Sequence, residues 1–290
     1  IVLLFMFVIP RVVSPIAPLT EQGMHAVCIF LAILSLFPFI VMIVNATRSS
    51  AQIQSHALSL IPSKYLMNNM KVLTSKTFHP LTGFFNSAII SICATALSVY
   101  FSTLTAYSIV AYRWKFRRAF FTFIMAVLMI PSQIISIGFY QMMYSVGMNN
   151  SFLPLIIPAI ASPAVVFYMK QYMEPALPLE IVQAARIDGA SEFYIYSRII
   201  IPMLVPVLMV LVLFTFNASW NDFMWPSIAI TTPKNSTITP SIQKFKNNFG
   251  ANPERFLAAC TMAAIPTFFV YLLSQKYFLK GLQIGSGIKG

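Results

Sequence analysis

About six runs of roughly 20 mainly apolar residues follow one another along this chain, with polar segments between them. A run of that length is what an α-helix needs to cross the hydrocarbon core of a membrane. A spanning segment must satisfy its backbone polar groups internally, so a run of this kind crosses as a helix. Charged residues make up only 9% of the chain, against about 25% in an ordinary soluble domain. The sequence therefore predicts an all-α, polytopic membrane protein with about six transmembrane helices.

The predicted spans cover most of the chain after an apolar opening segment that is too short to cross alone. We expect residues 1–22 to form an interfacial or partial helix, residues 23–279 to form the transmembrane domain, and residues 280–290 to form a C-terminal tail. The expected spans are residues 24–44, 84–111, 119–140, 152–169, 203–228 and 256–278.

Basic residues indicate the orientation of these spans. The net charge is +12, but the cations lie in loops between apolar runs rather than on one face, which disfavours a nucleic-acid partner. The compact basic cluster of residues 113–118, between the second and third spans, decides the side because short loops carry the strongest topology signal. We therefore expect a multi-pass protein of the bacterial inner membrane with both termini in the cytoplasm.

The stretch from Leu179 to Pro206 is an island of charge in this apolar chain, and the predicted orientation places it in the cytoplasm. Pro178 and Glu180 suit the first turn of a helix, where the macrodipole favours an acid. Gly189 follows Asp188 and accepts the left-handed conformation that commonly ends a helix. The stretch thus predicts a helical hairpin between the fourth and fifth spans.

The second helix of this hairpin is predicted to start at Ser191. Phe193, Tyr196 and Ile200 recur at helical spacing and form a stripe on one face. Pro202 is expected to end the helix, so that the fifth span starts separately after it. The small side chains around the turn leave a bare surface that another helix can approach closely.

This hairpin resembles the cytoplasmic coupling loop, called the EAA loop, of the permease subunits of binding-protein-dependent ABC importers. The family's form is Glu-Ala-Ala, three residues, Gly, about nine residues, Ile, one residue and Pro. The matching residues are Ala184, Ala185, Gly189, Ile200 and Pro202. The alternative interpretation is an ordinary charged hairpin between two membrane spans.

One position departs from the family's form, because Gln183 stands where a glutamate is usual. The resemblance implies that this glutamate contacts the ATPase subunit, so here either a neutral hydrogen bond replaces the charge or Glu180, one turn upstream, supplies it. The loop as a whole is expected over residues 174–202. The residues that the resemblance assigns to ATPase coupling are Glu180, Gln183, Ala184, Ala185, Asp188, Gly189 and, in the tail, Lys289.

A second motif, Trp220-Asn221-Asp222-Phe223, stands near the outer end of the fifth span. It resembles a hallmark of the carbohydrate branch of these importers, in the group similar to the second maltose permease subunit. Aromatic faces and polar edges suit sugars, so the resemblance implies a substrate path here. The alternative is that the tryptophans are interface anchors and that Asp222 caps a helix or pairs at a subunit contact.

Hydroxyl side chains form a stripe on one face of the second span. They allow close helix packing and hydrogen bonding, or else part of the stripe lines a polar path. The stripe contains Ser87, Ser91, Thr95, Ser98, Ser102 and Thr105. The candidate residues for the substrate path are Tyr140, Asn217, Trp220, Asn221, Asp222, Ser91 and Thr95.

The sequence contains no phosphate-binding loop, no nucleophile elbow and no zinc-protease motif, so it predicts neither an ATPase nor an enzyme. The three cysteines and three histidines are scattered, and their spacing predicts no metal site and no disulfide framework. We expect no cofactor in this chain; the resemblance implies that ATP and Mg are bound by partner ATPase subunits.

The resemblance, which covers roughly residues 86–290, implies a type I ABC importer permease fold. The implied partners are a second permease in a heterodimer, two cytoplasmic ATPases, an extracytoplasmic solute-binding protein and membrane lipid. The implied function is ATP-driven import of an oligosaccharide or polysaccharide fragment by alternating access. Three alternatives are an ion-coupled secondary transporter, a permease for a solute other than sugar, and a membrane scaffold. The near absence of charge inside the spans disfavours an ion relay.

Overall fold

A computed structural model describes residues 21–73, 80–248 and 252–287. These fall into two compact units, one formed by residues 21–73 with 242–248 and 252–264, the other by residues 80–241 with 265–287. The predicted interfacial helix of residues 1–22 lies almost entirely outside the described residues. Each unit is considered by itself below.

All regular structure in the described residues is helical. The α-helices are α1 (Glu21–Ala46), α2 (Ser50–Ser55), α3 (Leu66–Leu73), α4 (Pro80–Ala111), α5 (Arg117–Leu128), α6 (Ser132–Ser145), α7 (Leu153–Ile156), α8 (Pro163–Ala176), α9 (Leu179–Ile187), α10 (Glu192–Tyr194), α11 (Ile201–Trp220), α12 (Met224–Ala229), α13 (Ile238–Asn248) and α14 (Pro253–Gly287). Short 3₁₀ turns occupy Ile157–Ile160 and Pro233–Asn235, and a π-helical segment occupies Ile195–Ile200.

Five helical segments of the described chain are long and apolar enough to cross a membrane. They are His25–Ala46, Leu81–Ala111, Leu153–Ala176, Glu192–Trp220 and Pro253–Lys276. Together with the broken helix α5–α6, they confirm the prediction of an all-α polytopic protein. Helix α14 continues through residue 287, so the first part of the predicted tail is helical, whereas Lys289 lies outside the described residues.

The third predicted span, residues 119–140, is divided between two helices. Helix α5 ends at Leu128 and α6 starts at Ser132, with Pro131 as the N-cap of α6. Proline lacks a backbone N–H and disfavours helical geometry in the residue before it, so the chain breaks here. The segment consists of two helices in series, neither of which is among the five candidate spans of the described residues.

The expectation that Pro202 ends a helix was wrong. The chain is helical without interruption over Glu192–Trp220, and Pro202 is the second residue of α11. The π-helical segment Ile195–Ile200 comes directly before it. A π turn widens the backbone at the point where the proline ring would clash with the preceding turn of an α-helix. The second arm of the hairpin and the fifth span are therefore parts of one continuous helix.

The core of the second unit forms where α4, α8, α9 and α11 meet. Helix α4 packs along both α8 and α11. The fully buried side chains at this meeting point include Met169 and Met173 of α8, Ile195 and Ile200 of the π segment, and Leu204 of α11. This packing fixes the base of the hairpin against α4.

The start of α4 is held by the chain between α12 and α13. The Asn86 side-chain amide donates to the carbonyl oxygens of Lys234 (2.9 Å) and Ser236 (3.0 Å). The Ile238 backbone N–H donates to the Ser87 hydroxyl at 2.9 Å. A Cβ atom at Gly83 would lie 3.3 Å from the Ile238 backbone, so a glycine allows this close approach. Ser87 thus has a structural partner at one end of the hydroxyl stripe.

A buried arginine organises the polar segment that follows α1 in the first unit. Arg48 is 6% exposed, and its guanidinium donates to the Asn45 side chain (3.0 Å) and to the carbonyl oxygens of Gln52 (2.8 Å) and His56 (2.6 Å). The Asn69 amide donates to the Arg48 carbonyl oxygen at 2.9 Å. The Arg48 side chain therefore holds residues 45–56 together through these hydrogen bonds. Its role is structural as well as a topology signal.

We expect Arg48→Met to open this polar segment, because it leaves buried carbonyl oxygens without a donor. An orphaned buried polar group costs about 1–3 kcal/mol, so amide exchange over residues 49–65 should accelerate at least roughly tenfold. Hydrogen exchange followed by mass spectrometry measures the change. Lys64→Met, which removes an exposed cation of the same segment, is the control. Equal exchange rates in the two variants would contradict the role of Arg48.

Candidate functional site

The hairpin turn after α9 is closed by a Schellman motif. Asp188 is the C-cap, and Gly189 has φ +80°, the left-handed conformation predicted for it. The Gly189 N–H donates to the Arg186 carbonyl oxygen (3.1 Å), and the Ala190 N–H donates to that of Ala185 (3.0 Å). These two bonds satisfy carbonyl groups that the end of a helix otherwise leaves open. The turn is therefore a defined structure.

The second arm of the hairpin begins at Ser191, as expected. The Ser191 hydroxyl accepts a hydrogen bond from the Tyr194 N–H at 3.3 Å. Tyr196 and Ile200 are buried, but Phe193 is 71% exposed, so the predicted single stripe is wrong. The π-helical segment changes the number of residues per turn and so separates Phe193 from the buried pair.

An ion pair and a tyrosine join the two arms of the hairpin to the end of α4. Arg186 donates from Nε to Glu192 Oε1 (2.6 Å) and from Nη2 to Oε2 (3.1 Å), and the Tyr112 hydroxyl donates to the same carboxylate. The guanidinium also lies 4.9 Å from the Tyr112 ring centroid. Burial and the bond to Glu192 raise the pKa of Tyr112, and the carboxylate raises the pKa of Arg186. The tyrosine is thus a neutral donor and the arginine a cation at neutral pH.

Tyrosine rings in edge-to-face and tilted contacts continue this contact into the core. The Tyr107 ring lies 5.6 Å from Tyr112 and 5.6 Å from Tyr196, centroid to centroid. Tyr107 and Tyr196 are 3% and 4% exposed. Aromatic pairs at such distances contribute about 0.5–1.5 kcal/mol beyond their buried area. The three rings connect α4 to the π-helical base of the hairpin.

The predicted coupling residues lie on different faces of α9. Glu180, Ala184 and Asp188 are exposed, whereas Ala185 is buried in the core. Gln183 is exposed at the edge of a cavity of about 460 Å³ that Glu180 does not line. Glu180 therefore does not occupy the place that a carboxylate at position 183 would take.

The basic cavity that Gln183 lines lies between the end of α4, the start of α5, and helices α8 and α9. Its charged lining contains five cations and one acid, Glu174. The cations are Arg113, Arg117, Arg118, Lys170 and Arg186. The basic loop cluster from which the orientation was predicted thus lies against the hairpin.

An exposed apolar surface caps the hairpin. Ile187 is 86% exposed beside the charged Arg186 and Asp188, and Phe193 projects from the other arm. A side chain set among charged neighbours is poorly placed to face lipid, so these apolar groups point to a protein contact. We call Ile187, Phe193 and Tyr194 the hairpin cap.

The residues predicted for the substrate path are only partly brought together. Asn217 and Asn221 are exposed one turn apart near the end of α11, where the Asn221 amide donates to the Asn217 side chain at 2.8 Å. Trp220 is 1% exposed between Phe84 and Phe216, so in this conformation it offers no open ring face to a sugar. Its place on the path stays a prediction.

The other path candidates differ in their surroundings. Asp222 accepts a hydrogen bond from the Trp225 N–H at 3.4 Å, the geometry of the capping alternative, and burial raises the pKa of its carboxyl. Tyr140 is 39% exposed. Ser91 and Thr95 are buried inside this unit, and their hydroxyl oxygens have no partner in the part of the chain that the structure describes. Burial within one subunit favours the packing interpretation for these two.

The sequence did not single out Tyr112 or Glu192 as site residues. Their contact joins positions 80 residues apart, and neither position belongs to the motif that identified the hairpin. The available signal was composition: Glu192 is one of only seven acids in the chain. An acid at that point needs a partner close to the membrane.

The apolar helices and the structured hairpin that leads into one of them define a polytopic membrane protein. Residues 98–284 match the family described as the binding-protein-dependent transport system inner membrane component. The chain belongs to this family, and it is a permease component of an ABC importer rather than an enzyme. Permeases of this family work with a partner permease, an ATPase and a solute-binding protein.

Similar proteins cover nearly all of the chain. The arabinooligosaccharides transport system permease AraQ of Halalkalibacterium halodurans is 32% identical over 90% of this chain and 94% of its own. The sn-glycerol-3-phosphate permease UgpE of Yersinia enterocolitica is 30% identical over 89% and 94%. A chain of a bacterial ABC transporter for import of the acidic polysaccharide alginate superposes with a TM-score of 0.75 at 23% identity, over 88% and 95%. The last similarity establishes the type of fold.

We expect Arg186→Met and Glu192→Gln each to loosen the hairpin by about 1 kcal/mol or less, because the pair is partly exposed. Amide exchange over residues 187–191 should accelerate up to about fivefold in either variant, and no further in the double variant, since both break one contact. Glu174→Gln, which breaks the exposed pair with Lys170, is the matched control. Additive effects of the two hairpin substitutions would show that Arg186 and Glu192 act separately.

Proposed function

We propose that this permease imports an oligosaccharide or polysaccharide fragment across the bacterial inner membrane, driven by ATP. Two kinds of similarity support a carbohydrate cargo: AraQ is named for arabinooligosaccharides, and the superposed transporter imports alginate. The Asn217–Asn221 pair offers amide groups of the kind that bind sugar hydroxyls, at the end of a spanning helix.

The proposed assembly contains this chain and a second, similar permease as a heterodimer. Two cytoplasmic ATPase subunits bind ATP and Mg, and an extracytoplasmic binding protein delivers the cargo. Both termini lie in the cytoplasm, which puts the basic cluster and the hairpin on the same side. We assign residues 23–279 to the transmembrane domain, with the coupling loop over residues 174–202 and the tail over residues 280–290.

The exposed apolar hairpin cap is the observation that carries the coupling mechanism. An ATPase groove would bury Ile187 and Phe193, together with the exposed face of α9 that bears Glu180, Ala184 and Asp188. Gln183 would contribute a neutral hydrogen bond, and Lys289 of the tail would join the same contact. The close approach of the ATPase requires the bare turn at Gly189.

The route from the ATPase to the spans is short. The ion pair of Arg186 and Glu192 joins the two arms, and the Tyr112 hydroxyl joins Glu192 to the end of α4. The π-helical base of the second arm continues directly into α11. Closure of the ATPase dimer would thus move α4 and α11 together. The bundle would rock between an outward-open and an inward-open state, with the cargo passing Tyr140, Asn217, Trp220, Asn221 and Asp222.

We expect Gly189→Val to reduce ATP-dependent uptake roughly tenfold. A β-branched residue strains the left-handed backbone of the turn by at least about 1–2 kcal/mol, and the turn positions the hairpin cap. Apart from its two chain neighbours, no atom of the described residues lies within 4 Å of a Cβ built at this position, so the strain comes from the backbone. Uptake into proteoliposomes and retention of the ATPase on the purified permease measure the effect.

Gly147→Val is the matched control, because Gly147 also has a positive φ (+69°) and open space around it but lies in another loop. We expect this variant to retain the ATPase and to keep coupled uptake. Equal loss in both variants, at equal membrane levels, would mean that the Gly189 substitution acts through general misfolding.

For the cargo, we expect neutral oligosaccharides to be taken up by the complete transporter and glycerol-3-phosphate to be excluded. Asn217→Ala and Asn221→Ala should each reduce sugar uptake about fivefold, the effect of one lost hydrogen bond, while ATPase retention stays unchanged. Uptake of radiolabelled candidates with the cognate binding protein provides the measurement. Preferential uptake of the phosphorylated compound would instead favour a cargo like that of UgpE.

A further inference from the structure

The basic cavity beside the hairpin has an excess of positive charge, which has no role in the proposed coupling mechanism. Lys170 is paired with Glu174, and Arg186 is paired with Glu192. Arg113, Arg117 and Arg118 have no acidic partner among the described residues. All three also line a neighbouring cavity that Trp114 and Lys115 complete. Three arginines therefore line the cavity without an ion-pair partner among the described residues, since the one acid in its lining, Glu174, is paired with Lys170.

Gln183 keeps this cavity free of a second acid. A glutamate at position 183, the residue usual in the family's motif, would put a carboxylate among the arginines. Like charges in a concave, partly shielded site interact more strongly than on an open surface. The neutral amide leaves the full positive potential available to an anion from outside the chain.

The surroundings of the arginines match the level of lipid headgroups. Helix α4, a candidate membrane span, ends at Ala111 and the apolar part of α5 begins at Ala119, so the arginines lie between the end of a span and the next apolar helical segment. Trp114 and Phe116 are 38% and 64% exposed beside them. Exposed aromatic rings next to cations are typical of the membrane–water interface.

We propose that the basic cavity binds a phosphate group, and that this phosphate is the headgroup of an anionic membrane lipid. Guanidinium groups are suited to phosphate because their planar donors pair with two oxygens at once. A cavity of about 460 Å³ accommodates a headgroup, and basic pockets between spanning helices are places where anionic lipids bind. The bound lipid would neutralise the arginines and hold the start of α5 beside the coupling hairpin.

The test uses the assembled transporter, extracted from vesicles of equal parts phosphatidylcholine and phosphatidylglycerol, with retained lipid counted by native mass spectrometry. Each surface cation contributes about a fivefold factor to anionic lipid binding, so Arg113→Gln with Arg118→Gln should lower retained phosphatidylglycerol roughly 25-fold. Gln183→Glu should lower it about fivefold. Lys64→Gln with Lys234→Gln, an equal loss of charge at exposed positions in other loops, should leave it unchanged.

Three results would overturn the proposal. The first is equal phosphatidylglycerol retention in the arginine variant and in the lysine control. The second is loss of the ATPase subunit from the arginine variant with lipid retention intact, which would make the cavity a protein contact. The third is displacement of the retained lipid by inorganic phosphate at concentrations where chloride has no effect, which would identify a soluble phosphate as the ligand.

Discussion

The contact of Arg186, Glu192 and Tyr112 is the interaction on which the rest of the functional structure depends. Its geometry is bidentate, yet it is partly exposed, so its contribution to stability is modest. Its importance is positional, because it joins both arms of the hairpin to the end of α4, a helix that packs along α8 and α11. The buried side chains of α9 and of the π-helical segment attach the base of the hairpin to the core, and this contact adds a link to the end of α4.

Continuity of the backbone completes this link. The hydrocarbon core offers no hydrogen-bond partner, so helix breaks inside a membrane need internal compensation. The chain breaks at Pro131, but it stays helical through Pro202 because a π turn precedes the proline. Pro131 thus interrupts the helix, whereas Pro202 does not, although the sequence alone does not distinguish the two prolines. At Pro202, α11 is therefore a direct extension of the second arm of the hairpin.

The sequence alone was sufficient for the fold class, for most span positions and for the conformation of the turn, because each rests on local rules of length, polarity and glycine geometry. It was insufficient for the contact of Tyr112 with Glu192, which depends on how α4 packs against the hairpin and leaves no local pattern. The predicted position of Phe193 on the buried face was wrong for a similar reason, because no sequence rule predicts the π-helical segment that follows it. The surroundings of Trp220 likewise follow from packing with Phe84, far away in the chain.

The central claim is that the hairpin cap is the surface that the ATPase holds. Photo-crosslinking in the assembled transporter tests it most directly, with a benzophenone amino acid placed in turn at Ile187, at Phe193 and at Phe123, an exposed apolar position on α5. We expect crosslinks to the ATPase subunit from positions 187 and 193, and none from position 123. Crosslinking to the ATPase from Phe123 alone, or from none of the three positions, would contradict it.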